Sequence, residues 1–100
     1  MSLPDITDFQ EWVLRETRRQ ELLKPGGAPL TREISSALYE SDQNRYATRK
    51  GQRWTSRYEA ASPHINSLIR KGLMERPERG KVRTTALGRK WLKANQSPTG

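Results

Sequence analysis

Apolar residues recur at three- and four-residue spacing through most of this chain, and the rhythm shortens toward two only between Leu73 and Thr84. Residues 5–23 predict a first helix, with Asp5 as its cap and Ile6, Phe9, Val13 and Thr17 on one stripe flanked by Trp12. RETRRQE reads as a solvated continuation that Leu22 and Leu23 close, and KPGGAP from Lys24 to Pro29 breaks the chain. A second helix is expected from Thr31 as N-cap, with Glu33 favoured in its first turn and Leu30, Ile34, Ala37 and Leu38 facing inward. Residues 41–53, SDQNRYATRKGQR, form a polar, increasingly basic connector, longer than the roughly 2–8 residues usual between packed helices.

Trp54, Tyr58, Ala61, Ile65, Leu68 and Ile69 return to helical spacing, but Pro63 interrupts it by removing a backbone donor and crowding the carbonyl of Glu59. The pattern predicts two pieces: a helix near 53–60, then one with Ser62 as N-cap and Pro63 in its first turn; a single kinked helix is the alternative. Gly72 stands where a left-handed cap would end that helix. Leu73–Arg76 and Lys81–Thr84 read as a hairpin around Pro77-Glu78-Arg79-Gly80, with Gly80 allowing the tight turn. Thr85 then caps a last helix whose inward residues are Leu87, Trp91 and Leu92, and 95–100 read as a tail. The expected fold is mainly α with a small β-hairpin, order α-α-α-β-β-α, a winged helix-turn-helix within one domain over residues 1–94.

Composition narrows the function. The chain has 100 residues, 32% of them hydrophobic and 30% charged, so it is a small and very polar domain. Without cysteine there are neither disulfides nor thiolate metal sites, and a reducing cytoplasm is the expected location, beside the nucleoid. One histidine and no glycine-rich phosphate loop leave little from which to assemble an enzyme site, so no cofactor, metal or catalytic residue is expected. No apolar run approaches the roughly 18 residues of a membrane span.

The net charge of +8 is unevenly spread. Residues 1–44 carry five basic against eight acidic side chains, a net −3; residues 45–100 carry fourteen against three, a net +11. Such asymmetry suggests one half that faces a polyanion and another that is structural or meets a partner.

At this point a family resemblance appears. IRKGLMERPERGKVRTTALGRKWL is similar to the winged-helix signature "kkGL(I/L)erp-rG-yrlTe-Gr" of bacterial and archaeal proteins. The span Leu30–Leu92, with its "LTREIxxAL" helix, long connector and W–x3–Y, resembles the N-terminal domain of the Mrr family of modified-DNA restriction endonucleases. The resemblance implies double-stranded DNA as partner, with modified DNA worth testing, in a regulator or in the DNA-reading part of a restriction or defence system. It departs from the family in lacking the nuclease residues after Leu92 and in starting the third helix at Ser62-Pro63.

Candidate contacts follow from helix geometry. With Ile65, Leu68 and Ile69 inward, Asn66, Ser67 and Arg70 point outward at about 100° per residue, with His64 and Lys71 flanking. Arg suits guanine and Asn suits adenine in a major groove, whereas a lone His64 is the weaker candidate. Arg79 at the hairpin tip, with Lys81 and Arg83, would form a wing along phosphates or in a minor groove. Thr31 and Arg32 could meet a phosphate at the start of the second helix, and Arg45, Arg49, Lys50 and Arg53 add a basic connector. Trp12, Trp54 and Trp91 read as core. The alternative is a protein-interaction module on the same fold, with a homodimer or another partner held through the acidic first helix.

Overall fold

The computed structural model describes residues 3–24, 28–48 and 61–95, the backbone alone over 41–48. Its elements are α1 (Asp8–Leu23), α2 (Thr31–Thr48), α3 (Ser62–Arg70), β1 (Met74–Glu75), β2 (Arg83–Thr84) and α4 (Ala86–Ala94). Helix, helix, helix, hairpin, helix is the expected order, in a mainly α domain with a small antiparallel β pair. No described helix is long and apolar enough to cross a membrane.

Three of the expected helix starts are displaced by the local chemistry. Thr7, not Asp5, caps α1: its hydroxyl accepts from the Gln10 N–H while the Gln10 side chain accepts from the Thr7 N–H. In α2, Thr31 is the first helical residue and not the cap; the Glu33 carboxylate instead reaches back to the Leu30 N–H at 3.1 Å. Ala61 precedes α3 without a side-chain cap, so Ser62 is helical rather than capping and Pro63 sits within the first turn. The buried Ala61 N–H donates instead to Ser35 Oγ on α2, at 3.0 Å. Thr85 caps α4 as its sequence predicts, accepting from the Gly88 N–H at 3.0 Å.

The helical backbone of α2 continues to Thr48, so the first part of the expected 41–53 connector is helix, and a long polar face hid that extension from a reading of apolar periodicity. The predicted helix near 53–60 lies outside the described residues, as do 96–100.

After α3 the chain reverses through Gly72 at φ +80°. The Leu73 N–H reaches the Leu68 carbonyl and the Gly72 N–H reaches that of Ile69, both at 3.0 Å, a Schellman closure. The hairpin is shorter than expected: Met74 pairs with Thr84 and Glu75 with Arg83, antiparallel. Beyond β1 and β2 its far arm is stitched to the segment before α2. Leu30 bridges Lys81, the Val82 N–H donates to the Pro29 carbonyl, and the Thr31 N–H donates to that of Gly80 at 2.8 Å. Pro29 lacks an N–H but keeps its carbonyl, so a stretch that reads as a breaker still serves as a short edge.

Val13, Leu14, Ile34, Leu38, Ala61, Ile65, Leu68, Leu73, Met74, Val82 and Trp91 form one buried cluster. Complete burial of a Leu or Ile is worth about 1.5–3 kcal/mol, so this cluster is the main support of a polar chain. Ile6, Phe9, Trp12, Ile69 and Leu92 pack against its edge. The α1 stripe is rotated from the predicted one, bringing Leu14 to the centre. Leu22 and Leu23 close α1 as expected, at 62% and 65% exposure, whereas Leu87, expected inward, is 37% exposed, Gly88 taking the inward place. The RETRRQE run is not simply solvated, because Glu16 and Thr17 are buried. The Thr17 hydroxyl is satisfied by the Val13 carbonyl at 2.8 Å.

Candidate nucleic-acid interface

Three elements present polar side chains to one surface, and a residue absent from the sequence-based candidates joins them. Arg76 leaves the end of β1 with Nη1 3.2 Å from Thr31 Oγ1 and Nη2 3.5 Å from Asn66 Oδ1. Its guanidinium therefore spans the start of α2, the outer face of α3 and the base of the hairpin. Asn66 and Arg70, one helical turn apart, are both exposed on α3, as predicted. Arg79 is exposed at the hairpin tip, beside Gly80, whose carbonyl holds the Thr31 N–H. The only hint of Arg76 in the sequence is its place before Pro77, which disfavours helical backbone there.

Other expected members face elsewhere. Ser67 Oγ accepts from Gln10 Nε2 on α1 at 2.9 Å, and Lys71 Nζ donates to the Asp5 carbonyl at 2.8 Å and to Gln10 Oε1 at 3.2 Å. His64 lies against Phe9, ring centroids 5.5 Å apart with the planes tilted by 32°. Residues 64, 67 and 71 share one helical edge, and α1 covers it, so the outward arc of α3 is narrower than predicted. It consists of Pro63, Asn66 and Arg70. The position of α1 against α3 is a tertiary fact, which a helical wheel for α3 alone does not contain.

In the hairpin, Lys81 is half-buried and its ammonium lies 3.0 Å from Glu78, while Arg83 is ion-paired with Glu75 across the strands. Val82 between them is buried, as expected. Exposed ion pairs of this kind hold side chains weakly, about 0–1 kcal/mol, so both cations are available to a stronger anion. Arg32 is exposed and lines a shallow cleft with Arg19, Leu23, Lys24, Glu33 and Glu40. Arg49, Lys50 and Arg53 lie outside the described residues, and of Arg45 only the helical backbone is described.

The acidic side chains of α1 are largely engaged within the fold. Glu11 pairs with Arg15, Glu16 with Arg19, and Glu21 with Arg18 and with Thr84 on β2. Burial pushes the Glu16 carboxyl up, but hydrogen bonds from Arg19 and Gln20 and the Arg19 charge outweigh it and leave the group below the usual range. The Leu30 N–H holds the Glu33 carboxyl low against a partial burial, assisted by Lys24 and Arg32. Among the described residues no group of three His, Cys, Asp or Glu side chains is placed to hold a metal ion.

Together these features define a small, mainly helical domain with a two-stranded antiparallel hairpin and a cationic, hydrogen-bonding face beside it. No known protein family, curated protein or solved structure matches this chain, so the likeness to Mrr rests on the residues quoted for it alone.

Proposed function

We propose that the domain binds double-stranded DNA without catalysing a reaction, with α3 toward the major groove and the hairpin along the backbone. The observation that carries this reading is the Arg76 bridge to Thr31 and Asn66, which assembles the α2 start, the α3 outer face and the hairpin into one surface bearing Arg70 and Arg79. Arg70 and Asn66 have the chemistry to contact base edges, while Arg79, Lys81 and Arg83 suit phosphates. The motif resemblance to Mrr extends the proposal to the DNA-reading part of a restriction or defence system, or to a small regulator.

Fluorescence anisotropy with plain and base-modified duplexes at two salt concentrations tests this function. Binding that weakens steeply with salt supports it, because neutralised phosphates release counterions; absent or salt-independent binding refutes it. A difference between plain and modified duplexes would support the restriction-system form of the proposal.

A second reading, a protein-docking module, draws on exposed Leu22 and Leu23 at the end of α1. Light scattering that shows a stable dimer or hetero-complex in a chain without DNA affinity would favour it.

A further inference from the structure

Resting on the DNA-binding reading, we propose that α3 reads only two base positions by hydrogen bonding, one through Asn66 and one through Arg70. The ligand of this helix is then a short, recurring duplex step and not a long operator. The other positions of the helix are engaged elsewhere. Ile65 and Leu68 are fully buried, and Ile69 packs against the same core. His64 lies against Phe9, Ser67 Oγ accepts from Gln10 Nε2, and half-buried Lys71, at the C-cap, donates to the Asp5 carbonyl and Gln10 Oε1. Within α3 the exposed residues are Pro63, Asn66 and Arg70. Pro63 has no side-chain donor or acceptor and no backbone N–H. Ser62 is half-buried, and a hydroxyl that both donates and accepts does not separate the bases.

Spacing sets the length of the step. Asn66 and Arg70 stand four residues apart, about 6 Å along the helix at 1.5 Å per residue. Base pairs stack about 3.4 Å apart, so the two side chains fall on pairs that are adjacent or separated by one. Asparagine pairs with adenine through N6 and N7, and arginine pairs with guanine through O6 and N7. Each pairing discriminates by about 5- to 150-fold, so two of them limit the preference of α3 to about 20,000-fold at most. Arg79 and its neighbours in the hairpin suit phosphates, which are the same in every sequence. Affinity and base preference therefore come from different elements.

The experiment is selection from a library of randomised duplexes by the full chain, Asn66→Ala, Arg70→Ala, their double variant and Ser67→Ala, with anisotropy on the enriched sequences. Both Asn66 and Arg70 are exposed, so their variants keep the fold, which circular dichroism checks. The full chain should enrich adenine and guanine at two positions, adjacent or separated by one. Asn66→Ala should flatten the adenine position and Arg70→Ala the guanine position, each by about fivefold or more. The double variant should lose both preferences and still bind random duplexes with a steep salt dependence. Ser67→Ala should leave both preferences in place. A full chain that binds duplex but enriches no base overturns the proposal. So does a double variant that keeps the whole base profile, or a Ser67→Ala variant that flattens either position. Single variants that flatten the same position, or positions more than two base pairs apart, overturn it as well. A full chain that binds no duplex instead overturns the DNA-binding reading on which the proposal rests.

Discussion

Glu21 on α1 accepts both the backbone N–H and the hydroxyl of Thr84 on β2, at 2.6 and 2.8 Å. Thr84 is buried, and its carbonyl is taken by Arg89 of α4 at 2.9 Å, so one threonine ties the hairpin to two helices. Glu21→Ala leaves the Thr84 N–H and hydroxyl without their acceptor. A loss of about 1.5–3 kcal/mol in unfolding free energy is expected, the range for hydrogen bonds to a charged group. Urea denaturation measures it, with Thr84→Ser, which keeps the hydroxyl, as the milder comparison.

Gly88 marks the closest approach between α4 and the chain before β1. A Cβ built there would lie 2.1 Å from the Leu73 carbonyl oxygen, a backbone atom held by the Thr85 N–H at 3.1 Å. Two effects oppose each other in Gly88→Ala. Helix propensity favours alanine by about 1 kcal/mol, whereas overpacking costs about 1–3 kcal/mol or more. The clash is with backbone and not with a side chain that can swing away, so the second effect wins. Thermal unfolding should show a lower Tm for Gly88→Ala.

Acid should weaken the fold partly through Glu33 and Glu16. Both carboxyls lie below their ordinary values in the folded chain. The unfolded chain therefore binds more protons than the folded one once the pH falls toward the unfolded value, near 4.3. Their contribution is complete above that region and is lost as the pH falls through the folded values. The urea midpoint should drop between pH 6 and pH 3, and Glu33→Gln should make the drop shallower while lowering the midpoint at pH 6. An unchanged slope in Glu33→Gln would show that Leu30 and Lys24 do not stabilise the ionised form.

The order of elements was legible because its signals are local. Gly72 ends α3, Thr85 caps α4, and Val82 sits inward between outward Lys81 and Arg83, all as their spacing predicts. Boundaries set by reciprocal side chains were less visible: Thr7 with Gln10, and Glu33 with Leu30, prevailed over Asp5 and Thr31, which looked equally able to cap. The candidate surface was half legible. Asn66, Arg70 and Arg79 follow from helix phase and turn position, but Ser67 and Lys71 depend on where α1 lies, and Arg76 acquires its place only when α2, α3 and the hairpin meet. Contacts between positions 10 and 67, or 31 and 76, leave no periodicity in a single sequence.

That division gives a paired prediction for Arg79 and Lys71, two cations that a count of charge treats alike. Arg79 is exposed at the hairpin tip, so Arg79→Ala should weaken binding to all duplexes and reduce the log–log salt slope by about 0.9, one phosphate contact. Lys71 is turned to the Asp5 carbonyl and Gln10, so Lys71→Ala should leave the slope unchanged. Its effect should fall on stability, about 0.5–1.5 kcal/mol for a hydrogen bond across the α1–α3 edge. Titrations of both variants across several salt concentrations, beside their urea midpoints, separate the two roles. A slope that falls for Lys71→Ala and not for Arg79→Ala would place the phosphate-facing surface on the α1 edge of α3, away from the hairpin.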